Sequence, residues 1–138
     1  MGRPMTWLIA YLAAAVTFVV LDLIWLGYVA HGFYKSEMGS LLADNVNIPA
    51  AAAFYAIYLA GVLFFAVKPG IEAGSVGHAA VLGALLGFLC YATYDLTSLA
   101  VIRDYSVRIA IVDMIWGAVL TACVAAAACA VALRVEAS

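Results

Sequence analysis

Charge is what this chain has least of. Lysine and arginine together number 6 and aspartate and glutamate 8 among 138 residues, so charged side chains make up 10%, against about 25% in a soluble domain. That is too little to clothe a globular body in water, and no nucleic-acid partner is expected. Cysteine is also sparse. Cys90, Cys123 and Cys129 sit inside apolar runs without CxxC spacing, which argues against a redox pair or a zinc site and for small apolar packing residues. No HxxxH or DxxD cluster accompanies them, so no metal site is expected and no cofactor can be named.

What fills the chain instead is hydrocarbon: 69% of its residues are hydrophobic. Four apolar runs can be drawn, over residues 7–30, 49–67, 76–100 and 108–133. Each meets the requirement of about 20 residues at a rise of about 1.5 Å for crossing a bilayer. The expectation is an all-α polytopic membrane protein, a four-transmembrane-helix antiparallel bundle forming one integral membrane domain over residues 1–138. The first run is too long for a signal peptide and is expected to be retained. The lipid bilayer is then the first partner.

Orientation should follow the lysine and arginine count, but the two sides tie. Arg3, Lys68 and Arg134 lie on one side, and Lys35, Arg103 and Arg108 on the other. The free amino terminus on the first side, with Glu37, Asp44 and Asp104 on the second, tilts the reading towards both termini in the cytoplasm.

Against this background three aspartates stand out: Asp22 in LDLIWLG, Asp95 in YDLTSLA and Asp113 in VDMIWG. Asp22 and Asp95 follow the middles of the first and third runs, and Asp113 precedes the middle of the fourth. Alternating helix direction brings all three into one half of the bilayer, roughly 6 to 11 Å from the midplane. An aspartate at a helix centre costs about 2.5–3.5 kcal/mol to insert and is too short to snorkel far. The three are therefore expected to turn inward, towards each other, towards hydroxyl and indole donors, or towards Arg103 and Arg108 at the adjacent mouth. Tyr55 and Tyr58 of the second run fall at or just inside the same level.

Helical spacing sorts the neighbours. Tyr91, Asp95 and Ser98 share one face of the third run, beside a stripe of Gly83, Gly87, Cys90 and Tyr94. Gly83 and Gly87, in GALLG, form a small-xxx-small contact, and Ala118 and Ala122 belong to a similar stripe in the fourth run. These stripes serve either packing within the bundle or association with a second copy. Asp113, Gly117 and Thr121 form the adjacent face. Trp25 and Trp116, each three residues after an aspartate, either belong to an interfacial aromatic belt or wall the polar layer, offering an indole N–H or a π face. Tyr28, Phe33 and Tyr34 fit the belt, and His31 fits a loop or interface position.

VLDLIW and IVDMIW match over helices that point in opposite directions, as an inverted repeat requires, whereas the shorter match of DLIWLG with DLTSLA suggests a parallel repeat, and neither extends along a whole helix. DLIWLG, YDLTSLA and VDMIWG, spread over four spans of this length, resemble the bacterial inner-membrane family designated domain of unknown function 2177. The resemblance covers most of the chain. It implies a four-helix multi-pass protein of the cytoplasmic membrane and gives weight to Asp22, Trp25, Tyr94, Asp95, Asp113 and Trp116, without naming a reaction.

Three function classes follow. The first binds or transports a proton, a cation or a small cationic or amphipathic ligand, with Asp22, Trp25, Tyr55, Tyr58, Tyr91, Tyr94, Asp95, Ser98, Arg103, Arg108, Asp113 and Trp116 as the candidate binding residues. The second is an intramembrane enzyme acting on a lipid or lipid-linked substrate, with Asp95 and Asp113 as the candidate acid and base. The third is a structural or accessory subunit whose aspartates lock the bundle.

Overall fold

A computed structural model of the chain describes residues 4–25, 27 and 47–137. Arg3, Tyr28, His31, Phe33, Tyr34, Lys35, Glu37 and Asp44 lie outside the described residues. The elements are α1 (Pro4–Ile24), α2 (Ile48–Val62), a π-helical segment (Leu63–Val67), α3 (Lys68–Ala73), α4 (Val76–Val101) and α5 (Val107–Ala137). Taken as Pro4–Ile24, Ile48–Ala73, Val76–Val101 and Val107–Ala137, they make four helices long and apolar enough to cross a membrane.

Local chemistry sets the helix ends. Asn47 caps α2, its side chain accepting from the Ala50 amide at 3.1 Å, with Pro49 in the first turn where no donor is missed. Ser75 does the same for α4 through the His78 amide at 3.0 Å, and Ser106 for α5 through the Ile109 amide at 3.1 Å. α3 ends at Gly74 with φ 64°, where a β-carbon would be strained. The Gly74 and Ser75 amides return to the Ile71 and Gly70 carbonyls, which turns the chain within two residues.

The second span departs from the expected 49–67. It runs on to Ala73, so Lys68 is helical and the second loop shrinks to Gly74 and Ser75. Pro69 reads as a stop because it has no N–H to give and crowds the preceding turn. The helix absorbs it by widening first: the Lys68 amide bonds to the Leu63 carbonyl five residues back, a π turn that shifts the ladder before the proline arrives. The fourth span is also longer than 108–133. Its 31 residues at about 1.5 Å each reach about 46 Å, beyond the roughly 30 Å of hydrocarbon.

α5 is the hub. It pairs most extensively with α4, then with α1, and the π segment packs on both α4 and α5. α1 contributes Thr6, Ala10, Ala14 and Phe18, a buried stripe at four-residue spacing, while Leu8, Leu12, Val16 and Leu23 face outward as a hydrocarbon-facing surface should. The α4–α5 seam depends on missing side chains. A β-carbon at Gly83 would meet the Thr121 carbonyl at 2.7 Å, one at Gly87 would strike the Gly117 carbonyl, and one at Gly117 the Tyr91 ring.

Those contacts decide between the two expected uses of the Gly83 and Gly87 stripe in favour of packing within the bundle. Gly83 and Gly87 are buried within the chain and are not available to a second copy. On α5 the buried row is Gly117, Thr121, Val124, Ala125, Ala128 and Ala132, next to the expected one, and Ala118 and Ala122 are only half-buried. The seam chose the face carrying Gly117, because only that position admits the Tyr91 ring.

Candidate functional site

The polar layer is assembled where the end of α1 crosses the first third of α5. Trp25, immediately after α1, stacks on Trp116 with ring centroids 4.5 Å apart and planes 7° from parallel. The two helices run in opposite directions, so equivalent positions of the two Asp-x-x-Trp motifs face each other. Both tryptophans are half-buried.

Asp22 is half-buried one turn before Trp25. The Tyr55 hydroxyl of α2 donates to its Oδ2 at 3.5 Å, the long edge of hydrogen bonding and correspondingly weak. The indole of Trp116 lies within reach of the same carboxylate, yet among the described residues its buried Nε1 closes no hydrogen bond. The Asp113 carboxyl lies near enough to act electrostatically on both Asp22 and Asp95, and within side-chain reach of Asp95. The three acids thus form a row, Asp22, Asp113, Asp95, crossing from α1 through α5 to α4.

Asp95 is wholly buried. Its Oδ1 accepts from the Tyr105 hydroxyl at 3.0 Å, whereas among the described residues its buried Oδ2 has no hydrogen-bonding partner. Tyr105 reaches it from the short connection between α4 and α5. There Asp104 adopts φ 62°, a left-handed conformation that aspartate tolerates better than most residues, and the tight turn drives the next side chain inward. Tyr105 is 9% exposed. Burial, then the Tyr94 phenol, then Asp95 itself push its hydroxyl above the ordinary tyrosine range, so at neutral pH it remains a donor.

A second tier lies deeper. Tyr58 and Thr121 share a buried 2.6 Å hydrogen bond, Tyr91 meets Tyr58 edge-on at 6.4 Å and seats its ring over Gly117. Phe18 packs against Tyr55 at 5.1 Å and Tyr58 at 6.1 Å, closing the floor with apolar surface.

The expected binding residues therefore divide. Asp22, Trp25, Tyr55, Asp95, Asp113 and Trp116 come together, with Ser98 buried on the Asp95 face and Tyr58 and Tyr91 beneath. Tyr94 does not join them. It is 61% exposed and meets only the outer edge of Tyr105 at 6.5 Å, because four residues from Cys90 its direction has already turned off the seam. Arg103 and Arg108 are exposed at the mouth. Tyr105 was not among the expected residues. The signal available was an aromatic residue in a loop of few residues, which places it near the mouth without fixing the direction of its ring. Among the described residues no three His, Cys, Asp or Glu side chains converge as metal ligands.

The four apolar helices define a multi-pass α-helical membrane protein, with Asp95 wholly buried between its helices and Asp22 and Asp113 half-buried. Within that class the chain belongs to the predicted membrane protein family DUF2177, whose model matches residues 7–130. No curated protein and no solved structure matches it.

Proposed function

We propose that the row of Asp22, Asp113 and Asp95 is a binding site for a proton, a cation or a small cationic ligand, held by the bundle for binding or transport. One observation carries the reading. Asp95 has no exposed surface and keeps one carboxyl oxygen buried without a partner, although buried polar groups are nearly always satisfied and intramembrane acids usually mark ion or substrate pathways. The Asp113 carboxyl lies within side-chain reach of Asp95, so a proton shared between the two acids, or a small cation beside them, would satisfy that oxygen. The competing reading, a polar lock, is favoured by the Tyr105 bond, which ties the α4–α5 connection to Asp95.

Thermal unfolding of the purified protein across pH and in sodium, potassium and tetramethylammonium chloride separates the two. The native midpoint is expected to shift with pH or cation, and Asp95→Asn, which still accepts from Tyr105 but carries no charge, is expected to remove that shift while folding. Should the native midpoint ignore every cation and pH while Asp22→Asn, Asp95→Asn and Asp113→Asn all unfold earlier, the acids are locks and the site reading is lost.

A further inference from the structure

We infer that the occupant is an amphipathic monocation, an amine or quaternary ammonium head on a single apolar tail, drawn laterally from the bilayer through a wedge between the first half of α2 and α4. This rests on the carboxylate-site reading and specifies its ligand and its route.

The wedge comes from unequal packing along one span. Beyond Val62 the π segment is held against both α4 and α5, whereas among the described residues α2 itself packs appreciably only on α1 and on that segment. From Ile48 to Ile57 its side chains are exposed, apart from a half-buried Ala51, and burial begins at Tyr58. The two helices therefore meet at Tyr58, Cys90 and Tyr91 and part towards the carboxyl level. An extended aromatic face lines the gap on the α2 side: Phe54 is 46% exposed and stacks on Tyr58 at 5.2 Å. Beside it Tyr55, 37% exposed, extends its hydroxyl to Asp22.

That tyrosine joins two environments. Its ring belongs to the lipid-facing surface and its oxygen to the acid row, through a bond of 3.5 Å that a cationic head displaces at little cost. Apolar and aromatic walls outside, acids within, and stacked indoles beside them suit a head that is positive, soft and weakly hydrated on a tail that stays in hydrocarbon. An inorganic divalent ion suits the geometry poorly, since the acids lie in a row and do not converge on a point. The buried, unpartnered Asp95 Oδ2 lies at the far end of that row, one carboxyl beyond Asp113.

Equilibrium binding in phosphatidylcholine nanodiscs tests this, read by the fluorescence of Trp25 and Trp116 in a Trp7→Phe background. The probes are dodecyltrimethylammonium, tetramethylammonium as head without tail, and dodecanol as tail without head, each at low mole fraction of lipid. Dodecyltrimethylammonium is expected to bind at least about tenfold more tightly than tetramethylammonium, and Asp22→Asn to lose about tenfold or more of that affinity, while dodecanol gives no response that Asp22→Asn alters. Gly61→Ala, where an added β-carbon meets nothing within 4 Å, is expected to fold and to bind as the native protein does. If tetramethylammonium binds as well as the tailed probe, the lateral amphipathic route is wrong and the carboxylate site stands. If no cation binds and pH has no effect on the native protein, both readings fall.

Discussion

Tyr105 shows how much one side chain decides here. It is the donor for a fully buried carboxyl, and Tyr105→Phe removes it without changing ring packing. The expected cost is about 1–3 kcal/mol, the penalty for leaving a buried acceptor unmade, seen as an earlier thermal unfolding midpoint, whereas Tyr94→Phe on the exposed face changes stability by less than about 0.5 kcal/mol. The alkaline limb provides a second check. Because the folded phenol is held above its ordinary range, above about pH 10 the unfolded chain loses this proton before the folded one does. Stability then falls as pH rises, and Tyr105→Phe is expected to make that fall shallower. The acids and tryptophans were visible in the sequence because they break apolar runs at recurrent spacing. Tyr105 was not, since an aromatic residue at a membrane-level loop looks like any belt residue until the turn at Asp104 is known to aim it inward.

At the scale of elements, the helices are set by what their glycines leave out. Gly87 and Gly61 make a controlled comparison, since a β-carbon at Gly87 strikes the backbone of α5 and one at Gly61 meets nothing within 4 Å. Gly87→Ala is expected to lower stability by about 1–3 kcal/mol through overpacking, and Gly61→Ala to leave it unchanged or raise it by up to about 1 kcal/mol through helix propensity. Thermal unfolding of the two variants in one detergent decides it; equal effects would show that the α4–α5 seam is loose. The four spans were legible as long apolar stretches, and the α4–α5 approach was legible in GALLG. The continuation through Pro69 was not, because whether a proline ends a helix or follows a π turn depends on contacts made by Leu63 and Val67 with distant helices. Which alanine row of α5 packs inward was equally hidden, since rows one residue apart have the same composition and only the Tyr91 ring over Gly117 distinguishes them.

For the molecule as a whole, cohesion is uneven. The α4–α5 pair with the π segment forms the dense part, and among the described residues the first half of α2 rests on little beyond α1. Hydrogen exchange in nanodiscs is expected to show the strongest amide protection in α4 and α5 and the weakest, among the described helices, over residues 48–57. Uniform protection along the second span would contradict the wedge. The row of acids is screened by one phenol on each of two sides, Tyr55 towards the lipid and Tyr105 at the connecting loop. Carriers built as two rocking halves must move whole bundles, on microsecond to millisecond timescales, whereas exposed side-chain flips take picoseconds to nanoseconds. Under the proposed reading the Tyr55 ring, which is exposed, can swing aside on the faster of these scales, so a guest arriving from the bilayer is admitted by one ring while the scaffold stays still.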